Sequence, residues 1–95
     1  MGAFNVVLKP SAVADLDRLR KFDSTAILDA IQMLANEPTR ESKSRIKKLR
    51  GEQQAEYRLR VGHYRVFYTV DEQEERVSVL RVLHKAQTNQ FYEET

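Results

Sequence analysis

The sequence predicts an α+β fold: an N-terminal strand, a two-helix hairpin, then a three-stranded antiparallel meander, with the helices packed on one face of the sheet. Two periodicities and a length carry the prediction. Apolar residues recur at helical spacing from Ala12 to Leu34, and from Tyr57 onward they alternate with charge at the strand period of two. At 95 residues the chain is long enough for one core and too short for two, so residues 1–95 are read as a single domain.

The elements follow in chain order. "FNVVL", residues 4–8, is a short apolar run closed by Pro10 and suits a first strand, placed at an edge or beside a partner distant in sequence. Ser11 offers a cap to a helix in which Ala12, Leu16 and Leu19 share a face, with Asp15, Asp17, Arg18 and Arg20 assigned to the other side. Asp23 or Ser24 offers a second cap, and Ile27, Ile31 and Leu34 repeat the spacing until Asn36 and Pro38 stop the helix. Residues 39–50 are polar and basic and read as a loop leading into a strand. Tyr57, Leu59 and Val61 then alternate with Arg58 and Arg60, the mark of a strand with one buried face. Gly62 and His63 allow a tight turn. "YRVFYTV", residues 64–70, is apolar at most positions, as expected of a central strand covered on both sides. "DEQEE" is a solvated turn, "RVSVLRVLH" a last strand, and the tail from Lys85 a short helix or ordered loop.

Charge is distributed unevenly. Residues 40–65 hold nine of the 16 Lys and Arg but three of the 14 Asp and Glu, so this segment is strongly cationic while the remainder is net acidic. Such asymmetry points to a surface that attracts polyanions. The chain has no cysteine, which excludes disulfides and thiolate metal sites and fits a cytoplasmic protein. No run approaches the length of a membrane span, and no Gly-rich phosphate loop, paired-carboxylate pattern or metal-ligand spacing is present. Neither a metal nor a small-molecule cofactor is expected.

Chemistry concentrates in the cationic segment. Isolated buried charges are costly, so Arg58, Arg60 and Arg65 belong on the open face of the sheet or at its rim. Guanidinium groups gathered on one surface repel one another unless an anion lies between them, and their planar fork matches phosphate. The alternative is a set of solvated ladders to Glu52, Glu56, Glu74 or Glu75. Lys43, Arg45, Lys47, Lys48 and Arg50 extend the cationic surface in a way suited to tracking nucleic-acid phosphates. His84 ends the last strand and can exchange protons near neutral pH; Lys85 follows it. Phe91 and Tyr92 in the tail can stack on bases or anchor the tail to the core.

"KLRG" (residues 48–51), "YRLRVGHYRVFYTV" (57–70) and "VLRVLHK" (79–85), together with the order of elements, resemble the RelE/ParE superfamily of bacterial and archaeal toxins over nearly the whole chain. For the RelE branch the resemblance implies a ribosome-dependent mRNA endonuclease restrained by a cognate antitoxin. For the ParE branch it implies a DNA gyrase inhibitor without nuclease activity; a non-catalytic RNA-binding module is the third reading. The RelE-like roles implied by position are charge stabilisation by Arg58 and Arg65, assistance from Lys85, and proton transfer by His84 or Tyr92, with Glu56 as a further base. The expected partners are therefore the antitoxin, the ribosome and mRNA, with no membrane.

Overall fold

The computed structural model describes residues 3–51 and 54–89. Strand β1 (Asn5–Leu8) leads into helices α1 (Pro10–Asp17) and α2 (Lys21–Gln32), the latter extended by a 3-10 turn, Met33–Ala35. Strands β2 (Ile46–Lys48), β3 (Tyr57–Val61), β4 (Tyr64–Asp71) and β5 (Arg76–His84) follow, and a second 3-10 turn, Lys85–Gln87, closes the described chain. The five strands form one sheet in the order β1-β5-β4-β3-β2. The meander of β3, β4 and β5 is antiparallel, as the short turns require. The N-terminal strand is at an edge and parallel to β5, with Asn5 opposite Arg76 and Leu8 opposite Val79.

Three local expectations change. The segment read as a loop contains β2, whose three residues pair antiparallel with β3; its single apolar residue, Ile46, is too little periodicity to reveal a strand. The helices also start earlier than their polar residues suggest. Lys9 precedes α1 and Arg20 precedes α2, neither making a side-chain cap, and Pro10 takes the first position of α1, where its missing N–H costs nothing. Asp23 lies within the first turn of α2, where its charge complements the helix dipole.

The helices and the sheet enclose the main core. Ala12, Leu16, Ile27, Ala30, Ile31 and Leu34 pack on Tyr57, Leu59, Val66, Tyr68, Val77, Val79 and Val82. The rings of Tyr57 and Tyr68 stack with centroids 5.6 Å apart, and the Tyr68 hydroxyl donates to the Pro38 carbonyl oxygen at 2.7 Å, tying the loop after α2 to the sheet. Burial pushes the Tyr68 phenol well above its ordinary range. A smaller cluster of Leu49, Ala55, Phe67 and Leu83, with Leu80 against it, lies on the opposite side of the sheet. The segment between β2 and β3 therefore covers part of that side, and Phe67 is fully buried while facing away from the helices. This is why β4 reads as apolar on both faces.

The ladder between β4 and β5 shifts register at Phe67/Tyr68, where Leu80 is the additional residue. Arg81, next to it, meets α1. Asp15, 5 % exposed, accepts from Arg81 Nε at 2.7 Å, Arg81 Nη2 at 3.0 Å and the Val82 N–H at 2.8 Å. Asp15 is thus a clamp between helix and sheet rather than a surface charge. Its position one residue before Leu16 and three after Ala12 puts it on the apolar stripe of α1, the signal by which it is recognisable.

Candidate nucleic-acid interface

The register of β2, β3 and β4 determines where the cations stand. Leu59 and Val66 face the helices, so by alternation Arg58, Arg60, Arg65 and Phe67 face the other way. Lys47 is directly opposite Arg58, and Arg60 directly opposite Arg65. The Arg60 N–H donates to the Arg45 carbonyl oxygen at 2.8 Å, which brings the residue before β2 alongside the same row. Like charges placed directly opposite oppose folding by about 0.2–1 kcal/mol per pair. Two such pairs stand on one face of the sheet, one between β2 and β3 and the other between β3 and β4.

The ion pairs Arg18–Asp15, Arg40–Glu37, Arg76–Glu74 and Arg81–Asp15 lie outside these rows. Glu56 is held elsewhere: its Oε1 accepts the Val70 N–H at 2.9 Å and completes the edge of β4 beyond the end of β3, which leaves it as a backbone partner rather than the base expected from the sequence. Glu74 pairs with Arg76, and Glu52 lies outside the described residues.

The three arginines are held differently. Arg58 is half-buried, and its Nε is buried with no hydrogen-bond partner among the described residues. Arg60 is exposed. Arg65 is bent toward the turn between β3 and β4: its Nη1 donates to the carbonyl oxygens of Gly62 and Tyr64, both at 3.0 Å. Gly62 has φ +60°, the left-handed conformation that glycine adopts without strain, and this turn aims its carbonyl at Arg65.

The remaining sequence candidates divide. Lys43 and Arg50 are exposed in the segments flanking β2. Lys47 joins the cationic face, but Lys48 alternates away from it and lines a cleft with Glu56, Tyr57 and Glu72, its N–H donating to Glu41 at 3.1 Å. Lys85 follows the end of β5, its N–H donating to the His63 carbonyl oxygen at 2.8 Å; it is two residues beyond Leu83, the residue opposite Arg65.

His84 does not share the arginine face. It is paired with Tyr64, which packs on the main core, and the two rings meet edge to face with centroids 5.5 Å apart. Its Nδ1 accepts the Ala86 N–H at 3.1 Å and caps the 3-10 turn, and it lines a cleft of about 260 Å³ with Asp15, Arg18, Arg81 and Gln87. The expectation that it reaches the rim of the arginine surface is corrected by the strand period: Leu83 is on that side and His84 on the other. Phe91 and Tyr92 lie outside the described residues. Among the described residues no group of three or more His, Asp or Glu could hold a metal ion, and no helix is long and apolar enough to cross a membrane.

A helical hairpin against one face of a five-stranded sheet, with cations on the other, defines the class, and comparison with known proteins gives the family. The family model described as "ParE toxin of type II toxin-antitoxin system, parDE" matches residues 6–89, and the chain belongs to this family, within the RelE/ParE superfamily of toxins. Solved structures agree. The RelBE2 toxin-antitoxin complex from Mycobacterium tuberculosis contains a chain 30% identical, with TM-score 0.76, covering 86% of this chain and 98% of that one. The archaeal RelE-RelB complex from Pyrococcus horikoshii gives 27% identity and TM-score 0.73 over 90% and 98% of the two chains. The isolated Escherichia coli RelE toxin, 19% identical with TM-score 0.71 over 98% and 88%, shares the fold. A search of the curated proteins found no significant match.

Proposed function

We propose that this toxin is a ribosome-dependent mRNA endonuclease, restrained by a cognate antitoxin protein. The observation that carries the reading is the register that sets Lys47 opposite Arg58 and Arg60 opposite Arg65 on one sheet face. An anion in place between them turns mutual repulsion into shared attraction, and guanidinium forks suit phosphate. The similarity to chains from two RelE-RelB-type complexes supports both the RelE-like activity and the antitoxin.

In this mechanism a ribose 2′-oxygen attacks the adjacent phosphorus, the P–O bond to the 5′-oxygen breaks, and a 2′,3′-cyclic phosphate forms. Negative charge on the phosphorane rises between ground and transition state. Arg58, Arg60 and Arg65, permanently charged, stabilise that increase without proton bookkeeping. Proton transfer falls to Lys85, at the end of β5 beyond Leu83, and to Tyr92, the tail residue named by resemblance. His84 takes no direct part because it faces Tyr64 and α1. Positioning by the ribosome relieves the protein of sequence readout, and the flanking Lys43, Arg45, Lys47 and Arg50 grip RNA phosphates, which orient without specifying.

The family model, described by a ParE toxin, favours a second reading: gyrase inhibition by binding alone. Primer extension on translated mRNA separates the two. New 5′ ends inside codons, lost in Arg65→Ala, establish cleavage; intact mRNA together with gyrase-dependent DNA damage establishes the second and rejects the first.

A further inference from the structure

We infer that His84 is a positioning residue for Lys85: its unprotonated imidazole caps the 3-10 turn Lys85–Gln87, and protonation undoes the cap, so the placement of Lys85 follows pH across the histidine range. The inference rests on the nuclease reading for the task of Lys85 and adds to it a proton-operated control of that residue's place.

The geometry of the turn carries it. A helical turn leaves its first N–H groups without an internal partner. Here the preceding residue supplies the acceptor: His84, with φ −66° and ψ 147°, has the extended backbone of an N-cap, and its Nδ1 accepts the Ala86 N–H at 3.1 Å. The Lys85 backbone is tied down on either side of that bond. Its N–H donates to the His63 carbonyl oxygen at 2.8 Å, and its carbonyl oxygen accepts from the hydroxyl of the buried Thr88 at 3.1 Å. Two of these three bonds end on carbonyl oxygens, which accept at any pH the fold survives. The third ends on an imidazole nitrogen, whose lone pair is available in the neutral ring alone.

An imidazole that accepts at Nδ1 carries its proton on Nε2, whereas an imidazolium donates at both nitrogens. A proton added to His84 therefore sets one N–H against another and turns the cap into a repulsion. The neighbours do not restore it. Around the ring stand Asp15 and Arg18 on α1, Tyr64 on β4, Arg81 on β5, Lys85 itself, and His63 at the hairpin turn with its ring centroid 6.1 Å away. The carboxylate in this set, Asp15, is already spent on Arg81 and the Val82 N–H, so among these groups none is left to hold an imidazolium in the capping position.

The test follows the Ala86 amide proton of the full chain by NMR from about pH 8 to about pH 5, across the imidazole range, with codon cleavage measured over the same interval. In the parent the Ala86 resonance is expected to move upfield in step with the His84 ring signals, and cleavage to fall about fivefold, the equilibrium effect of losing a typical cap. His84→Asn keeps an acceptor suited to an N-cap and has no proton to gain, so both responses are expected to flatten. His84→Ala has no acceptor and is expected to show the low-pH resonance and the low rate throughout; where it folds poorly, His84→Asn and the parent carry the test. His63→Gln leaves the His63 carbonyl in place and is expected to respond as the parent does; a response lost there puts the proton on His63 and overturns the assignment. An Ala86 resonance that ignores the His84 ring overturns the inference. So does a His84→Asn variant that keeps the Ala86 bond yet cuts as slowly as His84→Ala, because the imidazole then acts on the substrate itself. The two readings fail separately: a parent that cuts no mRNA defeats the nuclease and leaves the Ala86 resonance to decide the cap, whereas a pH-insensitive Ala86 resonance in a parent that cuts defeats the inference alone.

Discussion

Arg58, Arg60 and Arg65 show how a residue can be legible in kind before it is legible in place. That three arginines interrupt two apolar strands is plain from the sequence, and the strand period places them on one face. How Glu56 is used is not, because it turns to the Val70 N–H only once β3 ends two residues short of it along β4. Loss of one fixed charge-stabilising donor is expected to lower the cleavage rate by about 10²–10³-fold. Arg65→Ala, followed by primer extension under single-turnover conditions, measures it, and a loss below tenfold would remove Arg65 from the chemistry. Asp15 is the opposite case, a residue whose role the sequence conceals behind its charge. Asp15→Ala leaves the Arg81 guanidinium and the Val82 N–H without their acceptor and is expected to cost about 3 kcal/mol in denaturant unfolding.

Tyr68 adds a pH dependence. Its hydroxyl is buried and donates to Pro38, and burial raises its pKa above the ordinary 10.0, so the folded protein keeps a proton that the unfolded chain gives up. The stability associated with this proton is complete below pH 10 and declines as pH rises beyond it. Tyr68→Phe, which leaves the Pro38 carbonyl unpaired, is expected to destabilise by about 1–2 kcal/mol at neutral pH. It also flattens the alkaline decline, which unfolding at two pH values, one on each side of 10, reads directly.

At the scale of elements, helix and strand types follow from periodicity wherever an element buries a face. Ile27, Ile31 and Leu34 mark α2, and Tyr57, Leu59 and Val66 mark the hairpin. β2 escapes because an edge strand of three residues with one apolar side chain carries almost no pattern. Helix starts escape for a related reason: Pro10 and the backbone fix them, while Ser11, Asp23 and Ser24, the caps expected from the sequence, lie inside. The turn between β3 and β4 is legible, and demanding. A Cβ on Gly62 meets nothing within 4 Å, so the objection to another residue there is φ alone. Gly62→Ala is expected to cost about 1 kcal/mol and Gly62→Asn less, since Asn tolerates the left-handed region. Equal losses in thermal unfolding would show that something other than backbone strain is at stake.

For the molecule as a whole, the cationic face implies a conflict between stability and action. Arg60 and Arg65 oppose each other across the ladder, so Arg60→Gln is expected to raise stability by about 0.2–1 kcal/mol while weakening RNA binding. Added phosphate or sulfate should reproduce the stabilisation in the parent and not in the variant, a contrast that thermal melts with and without the anion reveal. The overall topology was partly open to sequence reading: consecutive hairpins dictate the antiparallel meander, whereas the partner of β1 is 71 residues away and no local pattern names it.

That distant partner has a temporal consequence. Asn5 waits for Arg76 and Leu8 for Val79, so a chain growing from its amino end makes its first strand long before the neighbour that receives it. Until β5 emerges, the sheet lacks the strand between β1 and β4, and α1 lacks Arg81, to which its buried carboxylate is fastened. Closing the sheet and fastening α1 are accordingly one event, since both wait for residues 76–84.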